Sequence, residues 1–468
     1  MGNEVTVRPD RWMTRGEAQV DDPRKPLVVW SGIPGERARV RVSHSGQNRA
    51  YGYVVEAEPP DPHRVAPPCE RYALCGGCPL MHLDAAGQEQ ARRSLVRQAL
   101  EEEGLGDVEL GAFHPSPDGL TDFRHMIKLG FGYSDRGHIR VGAWGRRDRR
   151  IVTIPECPVA LPVLRRTMIS VAHFTIERRI RPWIEGRGIL RAAVLRASRT
   201  TGEVLVTLVA GRRIRELAEL AEDLAGHVPN VVGVWLHLND EPGNAIFSPD
   251  EEGAVRVLPL VGKETIEEQV GGVSYDIGPG DFFQTNPAMA EVLYARTLDR
   301  LDLGQEVPVV DLYSGVGGLA LQAARRTRWA LGVEEVAGAV QRARGAARRQ
   351  SLPAEFVAGR VEDVLPDVGR RLRGKAPVLT VNPARRGLEP GVVQAMLALE
   401  PRRIAYVSCN PRALARDLRL FREGGLKIGA VELFDMFPNT AHVEALVTLD
   451  APGVARGGGR APRRKVVR

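Results

Sequence analysis

Beyond Phe282, segments that suit buried strands alternate with segments that suit amphipathic helices. This alternation is typical of a parallel sheet covered by helices, because each parallel connection needs a crossover. The sequence therefore predicts a doubly wound α/β domain over residues 281–450. The candidate segments, in chain order, are VPVVDLYS, GLALQAARR, WALGVEEV, AGAVQRARGAARRQ, AEFVAG, APVLTVNP and RRIAYVSCNP.

A glycine-rich turn, DLYSGVGG, joins the first of these strands to its helix. Glycines let the backbone turn tightly and approach a ligand, and ligands of such sheets bind beyond the carboxyl ends of the strands. The turn has neither a GxxxxGK[ST] run, which argues against a P-loop, nor the full GxGxxG spacing, which weakens a dinucleotide site. Acids in the next two units favour S-adenosylmethionine. The candidate residues are Asp311, Tyr313, Gly315, Gly317, Glu334 and Asp363.

Cys409 follows another apolar strand, in Ser408-Cys409-Asn410-Pro411. A cysteine at the carboxyl end of a strand in this fold class lies at the mouth of the site. The alternative is a buried structural thiol, the commonest state of a free cysteine. The Asn-Pro turn favours a specific placement.

A thiol and a carboxylate together suit methylation of a pyrimidine carbon. C5 of uracil is a poor nucleophile, but a thiolate that adds at C6 makes an enolate able to accept a methyl group from a sulfonium. A base must then remove the C5 proton so that the thiolate can leave. Glu444, in Phe437-Pro-Asn-Thr-Ala-His442-Val-Glu444, is the candidate base, with an exposed surface acid as the alternative.

The charge balance favours a nucleic-acid partner. The 468 residues predict two to four domains and carry a formal net charge of +7. Basic proteins of this kind often bind polyanions, because neutralised phosphates release counterions, although solubility alone is the alternative. No apolar run reaches membrane-spanning length and the N-terminus lacks the apolar core of a secretory signal, so we expect a cytoplasmic protein without a membrane or an obligate protein partner.

Two further domains and a tail are predicted around the α/β domain. Residues 1–62 contain short alternating strands typical of an OB-type barrel that binds oligonucleotides, or else of a plain β-subdomain. Residues 63–280 mix strands and helices and are assigned to a central α/β domain. Residues 451–468 are rich in Gly and Arg and predict a disordered tail, either solvated or an RNA tether.

Four of the five cysteines form a candidate metal site. They are Cys69, Cys75, Cys78 and Cys157, and only Cys409 lies outside the group. An odd number of cysteines with no secretory signal argues against a disulfide framework. Four thiolates suit either a [4Fe–4S] cluster or zinc, and the spacing does not choose between them.

The motifs resemble those of the RNA (uracil-5-)-methyltransferase family. The matching stretches, in family order, are IGPGDFFQTNPAMAE, VVDLYSGVGGLAL, GVEEV, VNPARRG, YVSCNPRALARDL and DMFPNTAHVEALV. The cysteine segment and the N-terminal β-region match too, so the resemblance covers most of the chain. It implies a class I, Rossmann-like methyltransferase domain, a TRAM domain in residues 1–62 and a [4Fe–4S] cluster in the central domain.

The resemblance also implies roles for individual residues. Cys409 would be the nucleophile and Glu444 the base. Gln284, the Gly315 loop and Glu334 would hold S-adenosylmethionine. A barrel together with a cluster favours 23S rRNA over tRNA as the substrate. The residues expected to face cofactor or RNA are Arg124 and Lys128 of FRHMIKLGF, Phe283 (or Phe282) as a stacking ring, and Asn382 and Arg385 of VNPARRG.

Asn382 departs from the family pattern. The family has Asp-Pro-Pro or Asp-Pro-Ala followed by Arg, and this chain has Asn382-Pro383-Ala384-Arg385. An amide offers a donor and an acceptor, so it can pair with N3–H and O4 of uracil, or with cytosine when flipped. Two alternatives therefore remain beside a uridine in 23S rRNA: another RNA or base, such as a tRNA uridine or a cytosine, and a non-catalytic RNA-binding assembly factor.

Overall fold

The structure is a computed structural model, and it describes residues 3–146, 148, 150–243, 245–248 and 255–453. The predicted basic tail therefore lies almost wholly outside the described residues. Within the described ranges, no helix is both long and apolar enough to cross a bilayer.

The first unit is a six-stranded sheet with the order β1-β5-β6-β4-β3-β2. Ala38 and Val40 lie in its core while Arg39 and Arg41 are exposed, so the strand that carries them is half-buried. The strands are β1 (Glu4–Val7), β2 (Arg11–Trp12), β3 (Ala18–Val20), β4 (Leu27–Trp30), β5 (Ala38–Ser45) and β6 (Ala50–Ala57).

The cysteine segment leads into α1 (Ala85–Glu102), whose apolar face is buried as its sequence predicts. The Asp84 carboxylate caps the helix by accepting from the Gly87 N–H at 2.7 Å. After α1 comes β7 (Leu110–His114).

A seven-stranded sheet with the order β10-β9-β8-β11-β12-β13-β14 forms the centre of the chain. Its strands β11 and β12 form a hairpin whose connection contains Thr200-Thr201-Gly202. Helices α2 and α3 pack on the face that carries Ile127 and Leu129. The elements are β8 (Met126–Tyr133), β9 (Ile139–Trp144), β10 (Ile151–Val152), α2 (Pro162–Glu177), β11 (Leu190–Ala197), β12 (Val204–Ala210), α3 (Arg215–His227), β13 (Val231–Leu238) and β14 (Leu258–Gly262).

The C-terminal part begins with the hairpin of β15 (Ile266–Val270) and β16 (Val273–Ile277), followed by α4 (Pro287–Arg300). The predicted alternation of strands and helices then follows. Its elements are β17 (Val309–Leu312), α5 (Gly318–Ala323), β18 (Ala330–Glu334), α6 (Ala337–Arg349), β19 (Ala354–Ala358), α7 (Val361–Leu372), β20 (Val378–Val381), α8 (Pro390–Ala398), β21 (Arg403–Ser408), α9 (Pro411–Glu423), β22 (Lys427–Ile428), β23 (Val431–Phe434) and β24 (Glu444–Asp450).

These strands form one nine-stranded sheet with the order β19-β18-β17-β20-β21-β24-β23-β7, and β22 pairs with β24. The five strands from β17 to β21 are parallel, and β24 runs antiparallel to β21. Large apolar clusters cover the two faces. The fold is thus mixed α/β with a Rossmann-like C-terminal sheet.

The C-terminal unit recruits residues from earlier in the chain. Strand β7 pairs in parallel with β23, with Leu110 opposite Val431. The β15–β16 hairpin buries Val273 and Tyr275 in the same cluster as α4 and α5. The sequence assigns both segments to residues 63–280, and their packing carries the C-terminal unit across the predicted boundary at residue 281.

Candidate active site

The carboxyl ends of four parallel strands place the predicted site residues along one edge of the sheet. Asp311 lies in β17, Glu334 ends β18, Asn382 follows β20 and Cys409 follows β21. Strand β24 runs the opposite way, with Ala445 paired to Ser408. The next positions in that register are Cys409 and Glu444, so two residues far apart in sequence meet at this edge.

The glycine-rich turn is held by Glu334. One carboxylate oxygen accepts from the Gly315 N–H at 2.9 Å and the other from the Val336 N–H at 3.0 Å. Gly315 and Gly317 have φ of 55° and 94°, the left-handed region that glycine adopts without strain. Tyr313 also has a positive φ, of 60°, which marks this turn as a backbone constrained by its surroundings.

Asp311 supports the turn from below. Its carboxylate is buried and accepts from the Ala320 N–H at 2.8 Å and the Thr380 hydroxyl at 2.6 Å. Burial raises the pKa of Asp311 to about 7 against the opposing effect of these hydrogen bonds. Both oxygens are thus engaged by the protein. Asp363 lies in the first turn of α7 with an exposed side chain.

The segment after β16 contacts the glycine turn. The Phe282 carbonyl oxygen lies 3.9 Å from the position that a Cβ on Gly315 would occupy. Gln284 is buried, and its amide has no hydrogen-bond partner within the described part of the chain. An unpartnered buried amide beside the turn is suited to a ligand.

Phe283 does not have the exposure expected of a stacking residue. Its ring is buried in the core at 5.4 Å from the Tyr275 ring, so it is unavailable to an RNA base. The neighbouring Phe282 is 70% exposed at the site edge. The prediction for Phe283 is therefore wrong, and Phe282 is the ring that can stack.

Arg385 joins the thiol to the opposite strand. Its guanidinium lies close enough to the Cys409 thiol to lower the pKa of that thiol, and it donates to His442 Nε2 at 3.5 Å. Its carbonyl oxygen accepts from the Asn410 side-chain amide at 2.7 Å, which ties the turn after β20 to the turn after β21. The structure thus brings Cys409, Arg385, His442 and Glu444 together.

Burial dominates the electrostatics of this group. It raises the pKa of Glu444 to about 8, with Arg385 opposing. Burial, and then the Glu444 charge, raises the pKa of Cys409 to about 11, again against Arg385. Burial also lowers the pKa of His442 to about 4, and the positive charges of Arg385 and Arg124 act in the same direction. A carboxyl and a thiol with strongly perturbed pKa values at one cleft mark a candidate catalytic site.

Basic residues of the central domain lie near Arg385 and His442. Lys128 is exposed on the face of β8 that α2 and α3 leave uncovered, and Val194 is its partner on β11. Partial loss of water, with Arg196, Arg124 and Arg385 nearby, lowers the pKa of Lys128. Arg124 therefore lies close to both His442 and Lys128.

The four remaining cysteines come together at the side of the central sheet. Cys75 bridges Gly145, and Cys69, Cys78 and Cys157 pack around Phe123 and Val159. Burial and the neighbouring cysteines raise the pKa values of Cys75 and Cys157, and that of Cys78 to about 12. Over the described ranges, no three His, Cys, Asp or Glu side chains are grouped as a single metal ion requires.

Comparison with known proteins agrees with this geometry. Residues 374–451, which hold Asn382, Cys409 and Glu444, match the family model described as tRNA (uracil-5-)-methyltransferase. An uncharacterised RNA methyltransferase of Listeria innocua is 31% identical over 91% of this chain and 92% of its own length. Another, of Gloeobacter violaceus, is 33% identical over 93% of each chain.

The chain belongs to the RNA (uracil-5-)-methyltransferase family. This methyltransferase is similar along its length to the crystal structure of the Pyrococcus abyssi tRNA (uracil-54, C5)-methyltransferase in complex with S-adenosyl-L-homocysteine. The two share 27% identity and a TM-score of 0.73 over 95% of this chain and 99% of the other. It is accordingly a class I, S-adenosylmethionine-dependent RNA methyltransferase.

One residue beside the thiol of this methyltransferase, His442, escaped the sequence interpretation. His442 was visible in the motif but had no assigned role, since a lone histidine gives no sign of its neighbours. Phe282 and Phe283 are identical neighbours, and no alternating pattern around them indicates which ring is buried.

Proposed function

We propose that this protein methylates C5 of a uridine in RNA through a covalent bond between Cys409 and C6 of the base. The observation that carries the proposal is the meeting of Cys409, Arg385 and Glu444 at the strand ends beside the glycine turn. A nucleophile, a cation that favours its thiolate, and a buried base are the groups that the chemistry needs.

The reaction would run in three steps. The Cys409 thiolate adds to C6 of uracil, and the C5–C6 electrons move toward O4 as an enolate. C5 of that enolate attacks the sulfonium methyl group, and S-adenosylhomocysteine leaves. The Glu444 carboxylate then takes the C5 proton, the C5–H electrons re-form the double bond, and the C6–S bond breaks to release the thiolate.

The raised pKa values keep both groups protonated at neutral pH in the protein without RNA. With pKa values of about 11 and about 8, Cys409 and Glu444 both hold protons at pH 7 in the free protein. The Arg385 guanidinium, which lowers both pKa values, is the group that favours ionisation. Activity is therefore expected to rise between pH 7 and pH 9, as Glu444 loses its proton.

The glycine turn and the Gln284 amide fit S-adenosylmethionine. Tyr313, Gly315 and Gly317 would contact it along the turn. Glu334 is only partly buried, so beyond its bonds to the Gly315 and Val336 N–H groups it would still have lone pairs for the ribose hydroxyls. Asp311 would act through the backbone of α5, since both of its oxygens are engaged. Asp363 would act from the first turn of α7.

RNA would approach across the central and N-terminal sheets. Residues 1–62 are proposed to be a TRAM domain. A cleft of about 1130 Å³ separates their sheet from the cysteine segment, and it is lined by Tyr53, Tyr72, Arg71, Arg140 and Arg146 among others. Arginines interleaved with aromatic rings suit single-stranded RNA, whose bases stack while the phosphates are neutralised. Arg124, Lys128 and Phe282 would hold the flipped base and its neighbours.

The four cysteines fit a sulfur-ligated cluster. Cys69, Cys75, Cys78 and Cys157 would hold a [4Fe–4S] cluster, which would join the cysteine segment to the loop between β10 and α2. A single zinc ion needs four sulfurs about 2.3 Å from one point. Over the described ranges the cysteine sulfurs are not grouped around one point, so the proposal of a cluster over zinc rests on the family resemblance.

The first experiment compares substrates. The purified protein is incubated with labelled S-adenosylmethionine and either unmodified 23S rRNA or unmodified tRNA, and the modified nucleosides are identified. We expect 5-methyluridine in 23S rRNA, abolished by Cys409→Ser. Because the solved structure from Pyrococcus abyssi is a tRNA methyltransferase, tRNA is the second candidate, and product in tRNA alone would replace rRNA as the substrate.

Asn382 is tested in the same assay. Its side chain follows β20 at the catalytic edge, and an amide can pair with uracil in one orientation and with cytosine in the other. We expect Asn382→Asp to retain 5-methyluridine formation. Formation of 5-methylcytidine by the native protein would contradict the proposed base, and RNA binding without any adduct would indicate a non-catalytic assembly factor.

A further inference from the structure

Helix α1 packs against the turn that leads into Glu444. Its Arg92 side chain is fully buried. Burial lowers the pKa of Arg92, while the nearby Asp435 carboxylate raises it. A guanidinium that has lost its water needs well-placed partners, because an unpaired buried charge is strongly destabilising.

The partners of Arg92 belong to one turn. Its Nε–H donates to the Thr440 carbonyl at 3.0 Å and its Nη2 donates to the Phe437 carbonyl at 3.2 Å. The same Nη2 lies 3.1 Å from Asp435. The Thr440 hydroxyl also donates to the Phe437 carbonyl at 2.8 Å. The guanidinium thus fixes both ends of the turn 437–440.

Gln88, one helical turn earlier, holds the middle of that turn. Its side-chain oxygen accepts from the Asn439 N–H at 2.8 Å, and its amide donates to the Asn439 side chain at 3.2 Å. Asn439 has a φ of 65°, a conformation that few residues adopt without such support. The Asn439 carbonyl accepts from the Leu80 N–H at 2.9 Å.

From this turn the chain passes directly into the catalytic group. The His442 N–H donates to the Thr440 hydroxyl at 3.2 Å, Val443 is fully buried, and Glu444 follows. Little freedom is left between the turn and the base. In the described part of the chain, the Arg92 and Gln88 side chains contact neither the Cys409 thiol nor the glycine turn.

We propose that Arg92 and Gln88 are positioning residues that aim the Glu444 carboxylate at the C5 proton of the methylated adduct. The proposal rests on the proposed function. It assigns the two residues to the last step, in which Glu444 takes the proton, the double bond re-forms and the C6–S bond breaks. The two earlier steps, thiol addition and methyl transfer, depend on Cys409 and the cofactor turn instead.

This assignment has a distinctive kinetic signature. A misaligned base leaves methyl transfer intact and slows the release of RNA, so the methylated protein–RNA adduct accumulates. A residue that merely stabilises the fold would lower adduct formation and release together. Displacement of a catalytic group by about 1 Å can slow its step roughly 100-fold, so release is expected to slow by about 10–100-fold.

The test uses matched substitutions on α1 in the full-length protein. Arg92→Lys keeps the positive charge but loses the planar guanidinium that donates to two carbonyl oxygens at once. Gln88→Met removes the two hydrogen bonds with Asn439. Arg93→Lys is the control, because Arg93 bonds Glu89 and the Gly111 carbonyl and lies off the turn. S-adenosylmethionine with a labelled methyl group is mixed with substrate RNA, and the labelled adduct and free RNA are followed on denaturing gels. S-adenosylmethionine binding is measured for each variant.

We expect Arg92→Lys and Gln88→Met to accumulate labelled adduct as Glu444→Gln does, with unchanged cofactor affinity, and Arg93→Lys to behave as the native protein. A parallel loss of adduct and product in Arg92→Lys and Gln88→Met, while Glu444→Gln accumulates adduct, would overturn the positioning role alone. Absence of labelled adduct in both the native protein and Glu444→Gln would overturn the proposed function and this inference with it.

Discussion

At the scale of single residues, the site buries a carboxyl group and a thiol that would ordinarily ionise more readily in water. Glu444 is buried beside a thiol, and the Arg385 cation opposes the effect of that burial on the pKa values of both groups. Such an arrangement costs stability and is retained where chemistry needs it. Two consequences of this burial can be measured without any RNA.

The first is a pH-dependent stability. The pKa of Glu444 is about 8 in the folded protein against 4.5 for an ordinary carboxyl. Between these values the folded state holds a proton that the unfolded state has released, so the native protein loses stability as pH rises through this window. Glu444→Gln stays neutral. We expect its Tm to exceed the native Tm by about 3 °C or more at pH 8 and to match it at pH 4.5. Equal Tm differences at both pH values in calorimetry would contradict a raised pKa.

The second is the reactivity of the thiol. Arg385 lowers the pKa of Cys409, so Arg385→Ala should raise it further and slow alkylation of Cys409 about tenfold at pH 8. Iodoacetamide labelling of Cys409, followed by peptide mass spectrometry, measures this. Arg386→Ala is the matched control, since the exposed Arg386 pairs with Glu389. Similar slowing in both variants would show that overall charge, rather than the contact with the thiol, controls reactivity.

At the scale of elements, the cofactor turn depends on backbone shape. Gly317 has a φ of 94°, and a Cβ there would approach Leu321 and Phe356 at 3.0 Å. Gly317→Ala is therefore expected to weaken S-adenosylmethionine binding about tenfold or more by calorimetry. Gly391, in the first turn of α8, has no heavy atom within 4 Å of its Cβ position, so Gly391→Ala should bind normally. Normal S-adenosylmethionine binding by both variants would show that the cofactor does not bind at this turn.

The elements also show what the sequence could predict. The alternation of strands and helices predicted the parallel sheet, and motifs at strand ends predicted the places of Asp311, Glu334 and Cys409. Both predictions were possible because periodicity and strand ends are local properties of a sequence. No local sequence pattern indicates the pairing of Leu110 with Val431 or the contact of Arg92 with residues 437–440. Both depend on packing between segments far apart in the chain, which a single sequence does not record.

At the scale of the whole molecule, several arginines line the cleft beside the N-terminal sheet. If RNA lies in that cleft, each arginine that meets a phosphate contributes about one unit to the dependence of log affinity on log salt. Arg71→Ala with Arg140→Ala should therefore reduce that slope by about 2 in filter-binding titrations. Arg215→Ala, on α3 behind the central sheet, is the control. An unchanged slope in the double variant would place the RNA elsewhere.

Strand β7 is synthesised long before β23, the strand with which it pairs in the C-terminal sheet. Leu110 leaves the ribosome about 300 residues before its partner Val431. At about 5–20 residues per second, this strand waits roughly 15–60 s for the sheet edge that it completes. During that time its backbone groups are open to other chains, and Arg92 of helix α1 lacks the turn 437–440 that later buries it. The growing polypeptide is therefore most exposed to aggregation and to chaperones in its first half, although the proposed catalytic residues Cys409 and Glu444 lie in its second half.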